Sequence, residues 1–121
     1  MSNKNIIIKF WEDEGGFKPV EDFFNKLNKI CLSKILKRIE FVNRFSFDEL
    51  LKYDDTLTLP VGCSKIKPRP YELKIKISPP IRIACYREDK NTLVLVEAVN
   101  DSFSNKKKFK RALEIYKTRV C

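Results

Sequence analysis

The chain has 121 residues, 43% of them hydrophobic and 34% charged, with a formal net charge of +9. That length suits one domain (1–121) able to bury a core, and the composition is not that of a disordered segment. Histidine is absent, which excludes a triad with His as base, His metal ligands and a His pH switch.

No apolar run approaches the roughly 20 residues that a membrane span requires, and residues 1–5 are polar rather than signal-like. The expectation is a soluble, cytoplasmic protein with no membrane association. The 25 Lys and Arg against 16 Asp and Glu point to a polyanion or an acidic protein as partner, set against the plainer reading of a solvated basic surface. The four cysteines, Cys31, Cys63, Cys85 and Cys121, lack metal-ligand spacing. Cys31 and Cys85 fall on apolar faces. Cys63 and Cys121 stay open as a disulfide or as two thiols, the thiols being normal for the cytosol.

Residues 5–11 read as a strand, rich in Ile and aromatic side chains. The acidic Gly turn at 12–16 ends it, and Pro19 suits the first turn of a helix. Val20, Phe23, Phe24, Leu27, Ile30 and Cys31 then keep a helical period. Ser33 is a candidate cap for a second helix carrying Leu32, Ile35, Leu36, Ile39 and Val42. One bent helix or an αα-hairpin both fit; the hairpin is expected, because a single helix of about 25 residues would outrun so small a domain.

Residues 46–70 read as a connecting loop with one helical turn at 48–52. Residues 71–77 alternate, with Tyr71, Leu73, Ile75 and Ile77 on one face and Glu72, Lys74 and Lys76 on the other. A Ser-Pro-Pro turn leads to a return strand at 81–87, and a polar turn leads to a largely apolar strand at 92–99 that suits a sheet centre. A last amphipathic helix carries Phe109, Ala112, Leu113, Tyr116 and Val120, with Ser104 or Asn105 as cap. The order is β-α-α-β-β-β-α, an α+β domain. Its small, mainly antiparallel sheet is expected to carry the helices on one face.

Closing the hairpin about Pro79 sets Ile77 opposite Ile81 and Lys76 opposite Arg82, with Lys74 one pair further along. Like charges facing one another on a strand pair are destabilising. A bound phosphate explains such a cluster; so does a solvated face with its cations splayed, and Glu72 is placed to neutralise part of it. Lys65, Lys67 and Arg69 lead into the same hairpin. Lys106, Lys107, Lys108, Lys110 and Arg111 load the first turns of the last helix, where positive charge opposes the macrodipole unless an anion binds there. Tyr71 and Tyr86 offer rings for base stacking, Tyr71 being also a core candidate. Convergent Lys and Arg can stabilise the charge that builds on phosphorus when a ribose 2′-OH attacks it. A Lys crowded by cations can serve as base.

This element order resembles the RelE/HigB superfamily, the toxins of type II toxin–antitoxin modules. The resemblance also rests on the string YELKIKISPPIRIACYRE (71–88), the strand TLVLVEAV (92–99) and the basic helix that follows. The opening strand, the acidic Gly turn and PVEDFFNKL (19–27) resemble its HigB and phage-derived branch, where Gly-x-x-Pro-Val precedes the first helix. The resemblance implies a RelE-like fold and a ribosome-dependent, metal-independent mRNA endoribonuclease that inhibits translation, needs no cofactor and is held in check by a cognate antitoxin. It implies Lys74, Lys76 and Arg82 as the catalytic group, with Arg82 on the scissile phosphate. Lys65, Lys67, Arg69, Lys106, Lys107, Lys108 and Lys110 would then hold RNA. The branch's Phe-x-Lys-Lys-Thr segment is replaced here by Ala98-Val99-Asn100-Asp101-Ser102, which leaves Asp101 and Tyr116 as stand-ins for an acid. Two further readings stay open: a ParE-like gyrase inhibitor on the same fold, and a non-catalytic nucleic-acid-binding module.

Overall fold

The computed structural model describes residues 5–52, 56–60, 62–78, 80–100 and 106–121, and leaves aside the side chains of residues 106–108. The elements run β1 (Ile7–Phe10), α1 (Pro19–Asn25), α2 (Lys29–Val42), α3 (Phe47–Lys52), β2 (Leu57–Thr58), β3 (Tyr71–Ile75), β4 (Ile81–Arg87), β5 (Thr92–Asn100) and α4 (Lys106–Val120). They form an α+β fold around one mixed sheet in the order β1-β5-β4-β3-β2. β1 runs parallel to β5, and every other pair is antiparallel. No helix among the described residues is long and apolar enough to cross a membrane.

Local chemistry sets the boundaries. After β1 the Asp13 carboxylate accepts the backbone N–H groups of Gly15 and Phe17, both at 2.9 Å. Gly16 turns the chain at φ +88°, a conformation that favours glycine. Pro19 opens α1 without losing a needed donor. The break between the first two helices is at Asn28, not Ser33. The Asn28 side chain accepts the Cys31 N–H at 2.8 Å and caps α2. α3 is the helical turn expected near residue 48, closed by a reciprocal capping box: Ser46 N–H donates to the Glu49 carboxylate at 2.9 Å, and Glu49 N–H to the Ser46 hydroxyl at 3.2 Å. The short β2 lies inside the stretch read as loop, pairing Leu57 with Leu73.

β4 keeps its expected bounds. The hairpin register shifts by two residues: Ile75, not Ile77, lies opposite Ile81, and Lys74, not Lys76, lies opposite Arg82. Ile77 N–H turns back onto Ile75 O at 3.0 Å instead of reaching across. A two-residue shift keeps every side chain on its face.

The sheet is covered on both sides, which corrects the expectation of helices on one face. α1, α2 and α3 bury Val20, Phe24, Ile35, Val42, Phe47 and Leu50 against Leu73, Ile75, Ile81, Ile83, Cys85, Leu93 and Leu95. α4 packs on the opposite face, where Phe109, Ala112 and Tyr116 meet Ala84 and Val96. Strands β4 and β5 are apolar on both faces, so a single helical layer would leave one of those faces in water. A bulge where Ala84 pairs with Glu97 and Cys85 with Leu95 turns both Val96 and Glu97 toward α4. Arg119, near the end of α4, then bonds Val96 O at 2.9 Å, pairs with Glu97 and lies 5.4 Å from the centre of the Trp11 ring.

A candidate polyanion cleft beside the last helix

Alternation along β3 and β4 puts Glu72, Lys74 and Arg82 on the face of the sheet that α4 partly covers. Lys74 stands directly across from Arg82, and Glu72 across from Ala84, so Glu72 is diagonal to Arg82. Arg82 Nη1 donates to Glu72 Oε2 at 2.8 Å. The two side chains are only 22% and 15% exposed, so the pair is less screened by water than one on open surface.

This pair forms one wall of an open cleft of about 510 Å³. The opposite wall is α4, with Phe109, Lys110, Leu113, Glu114 and Lys117, and the third is the loop carrying Pro60, Gly62, Cys63 and Ile66. Tyr116 fastens that loop. Its fully buried hydroxyl donates to Pro68 O at 2.6 Å, and its ring meets the Tyr86 ring edge-on at 6.3 Å. Burial pushes the Tyr116 phenol above its ordinary value. Tyr116 is thus a structural anchor, not a proton donor facing the cleft.

The residues singled out from sequence divide clearly. Lys74 and Arg82 are paired across the sheet, and Lys110 faces Arg82 across the cleft, which Lys74 does not line. Lys76 follows β3 and is exposed. Lys65, Lys67 and Arg69 are exposed on the loop but do not line the cleft. Lys106, Lys107 and Lys108 open α4, their side chains lying outside the described residues, as does Asp101. Arg111 faces a different hollow, shared with Phe23 and Val99. Tyr71 packs against the core, 6.2 Å from the Phe47 ring, and Tyr86 is half-buried against α4. The sequence reading missed Lys117 and Glu114, whose signal was their i+7 and i+4 spacing from Lys110. All four cysteines are free thiols. Among the described residues no group of three His, Cys, Asp or Glu side chains is placed to hold a metal ion.

The cleft offers a phosphodiester one guanidinium at the wall and two ammonium groups on the facing helix, set against the carboxylates of Glu72 and Glu114. Neither protein-family models nor curated protein sequences gave a match to this chain.

Proposed function

We propose that this chain is the toxin of a type II toxin–antitoxin pair, a RelE/HigB-like endoribonuclease that cleaves mRNA on the ribosome. The observation that carries the reading is Arg82, paired in the sheet with Lys74, on the wall of a cleft that it shares with Lys110 and Lys117. The α+β class and the element order read from the sequence, with α3 and the short β2 added, are compatible with this reading. In this reading the Arg82 guanidinium takes the scissile phosphate and Lys74 offsets the charge that develops on it. The 2′-oxygen bonds to phosphorus as its proton passes to water, and the P–O5′ bond breaks as the 5′-oxygen takes a proton from water. The ribosome supplies alignment, so the chain itself contributes mainly electrostatics. A cognate antitoxin with an acidic surface would cover the basic face and keep a protein of charge +9 from RNA at large.

Primer extension on translated mRNA tests this. Arg82→Ala should abolish cutting and Lys74→Ala should lower it by about 10–1000-fold, in the range known for a lost electrostatic donor. Lys76→Ala should do less, since Lys76 lies beyond β3. Unchanged cutting in all three variants, or none by wild type, sinks the nuclease reading. Inhibition in a parallel supercoiling assay would favour the ParE-like alternative. One observation favours a non-catalytic polyanion-binding module: the Glu72 carboxylate neutralises part of Arg82. That module would bind RNA with a steep salt dependence and cut nothing.

A further inference from the structure

The expected cations of the cleft are matched by a carboxylate with no role in the reaction as drawn so far. Glu72 is placed with care by the backbone. It lies in β3 between β2 and β4, opposite Thr58 on one side and Ala84 on the other. Neither neighbour is bulky, which leaves room for its side chain to reach diagonally to Arg82. The bond is made by a single guanidinium nitrogen at 2.8 Å. That bond engages one of the guanidinium's five N–H donors and holds the Arg82 head against the Glu72 carboxylate at the cleft wall. The charges also weigh nearly even. Arg82, Lys110 and Lys117 face Glu72 and Glu114 across the lining, leaving one net positive charge. Neutralising Glu72 leaves two. A single carboxylate therefore governs a large share of what an anion meets on entering.

We propose that Glu72 is a positioning residue for the phosphodiester: it fixes the Arg82 guanidinium at the cleft wall, and its negative charge moderates how tightly the cleft takes RNA. This rests on the endoribonuclease reading for its catalytic half only. Two consequences separate. The hydrogen bond sets geometry, and glutamine keeps it. The charge sets affinity, and both glutamine and alanine remove it.

The experiment compares wild type, Glu72→Gln and Glu72→Ala by two readouts. The first is fluorescence anisotropy with a single-stranded RNA made uncleavable by 2′-deoxy sugars, over a range of salt. Both variants should bind on the order of 3–10-fold more tightly than wild type. Their salt slope should steepen by about 0.7, the value for one more phosphate engaged on a single strand. The second readout is single-turnover cutting of ribosome-bound mRNA at saturating protein. Glu72→Gln should cut within about 3-fold of wild type, whereas Glu72→Ala should lose about 10–100-fold as the guanidinium loses its anchor. A residue that merely stabilised the fold would lower both readouts together and show equal losses for Gln and Ala, and that outcome overturns the proposal. Unchanged affinity and salt slope overturn the charge role. Tighter binding by both variants, with wild type cutting nothing on the ribosome, removes the nuclease reading and the positioning role yet supports the charge role. Thermal melts of all three proteins identify any variant that fails to fold, and Glu72→Asp, which keeps the charge but draws the guanidinium back, then carries the test: wild-type affinity with reduced cutting is expected.

Discussion

Tyr116 gives the sharpest test of how the cleft is held, because Tyr116→Phe removes one hydroxyl and nothing else. The side chain is 0% exposed, so the Phe ring fits the same space. What is lost is the 2.6 Å bond to Pro68 O, which ties the cleft loop to α4. A hydrogen bond of this kind contributes about 0.5–1.5 kcal/mol net, and more when the abandoned carbonyl finds no water. In a chain of this length about 1 kcal/mol moves Tm by roughly 4 °C, so a drop of about 2–6 °C is expected near pH 7. The pH dependence has a definite sign. Burial raises the folded phenol above its unfolded value near 10. The stabilisation is therefore whole below pH 10 and is lost as pH climbs through the folded value. Calorimetry should find a constant Tm gap between wild type and Tyr116→Phe from pH 6 to 9, narrowing above pH 10. Hydrogen exchange should quicken in residues 62–70 of the variant. An equal Tm at pH 7, or a gap of undiminished size at pH 11, refutes the anchor.

Two other outcomes follow from the same structure. Asn28→Ala should cost about 1 kcal/mol, since it removes the cap of α2, while Ser33→Ala, on an exposed site inside that helix, should cost only a few tenths; urea melts compare the two. Cys121 is exposed and should alkylate readily at pH 8, whereas Cys85 is fully buried with its thiol pushed up by that burial and should react only after unfolding; mass-resolved labelling reads this, and equal rates would contradict the core placement.

Where pattern and packing agree, the sequence was readable. The bounds of β4 follow from side-chain polarity alone, as does the alternation read over 71–77, of which β3 keeps Tyr71–Ile75. The α1–α2 break was not, because the apolar period runs unbroken through it and only the Asn28 cap interrupts the chain. The helical stripe read from Val20 to Cys31 therefore misplaced Ile30, which is 70% exposed. The hairpin register was misread because local closure was assumed at Pro79, whereas Ile77 spends its N–H on Ile75. Faces survived that error since a slip of two preserves parity, and so the pairing of a lysine with Arg82 survived while its identity changed from Lys76 to Lys74.

The position of the cleft follows from the same two-faced sheet that was not foreseen. On the α4 side β4 presents Tyr86, Ala84 and then Arg82, and β3 presents Glu72 and Lys74. Apolar surface therefore gives way to charge partway along the strand. α4 can cover Ala84, Val96 and Tyr86 without cost, because each buries hydrocarbon. It cannot extend its contact over Arg82 and Glu72 in the same way, since desolvating a charged pair recovers little. α4 packs on the apolar part of the strand face, the cleft lies at the charged part, and the loop pinned by Tyr116 closes the third side. The polarity step from Ala84 to Arg82 fixes where the cleft opens, and it puts the Arg82–Glu72 pair on the cleft wall facing Lys110, Glu114 and Lys117.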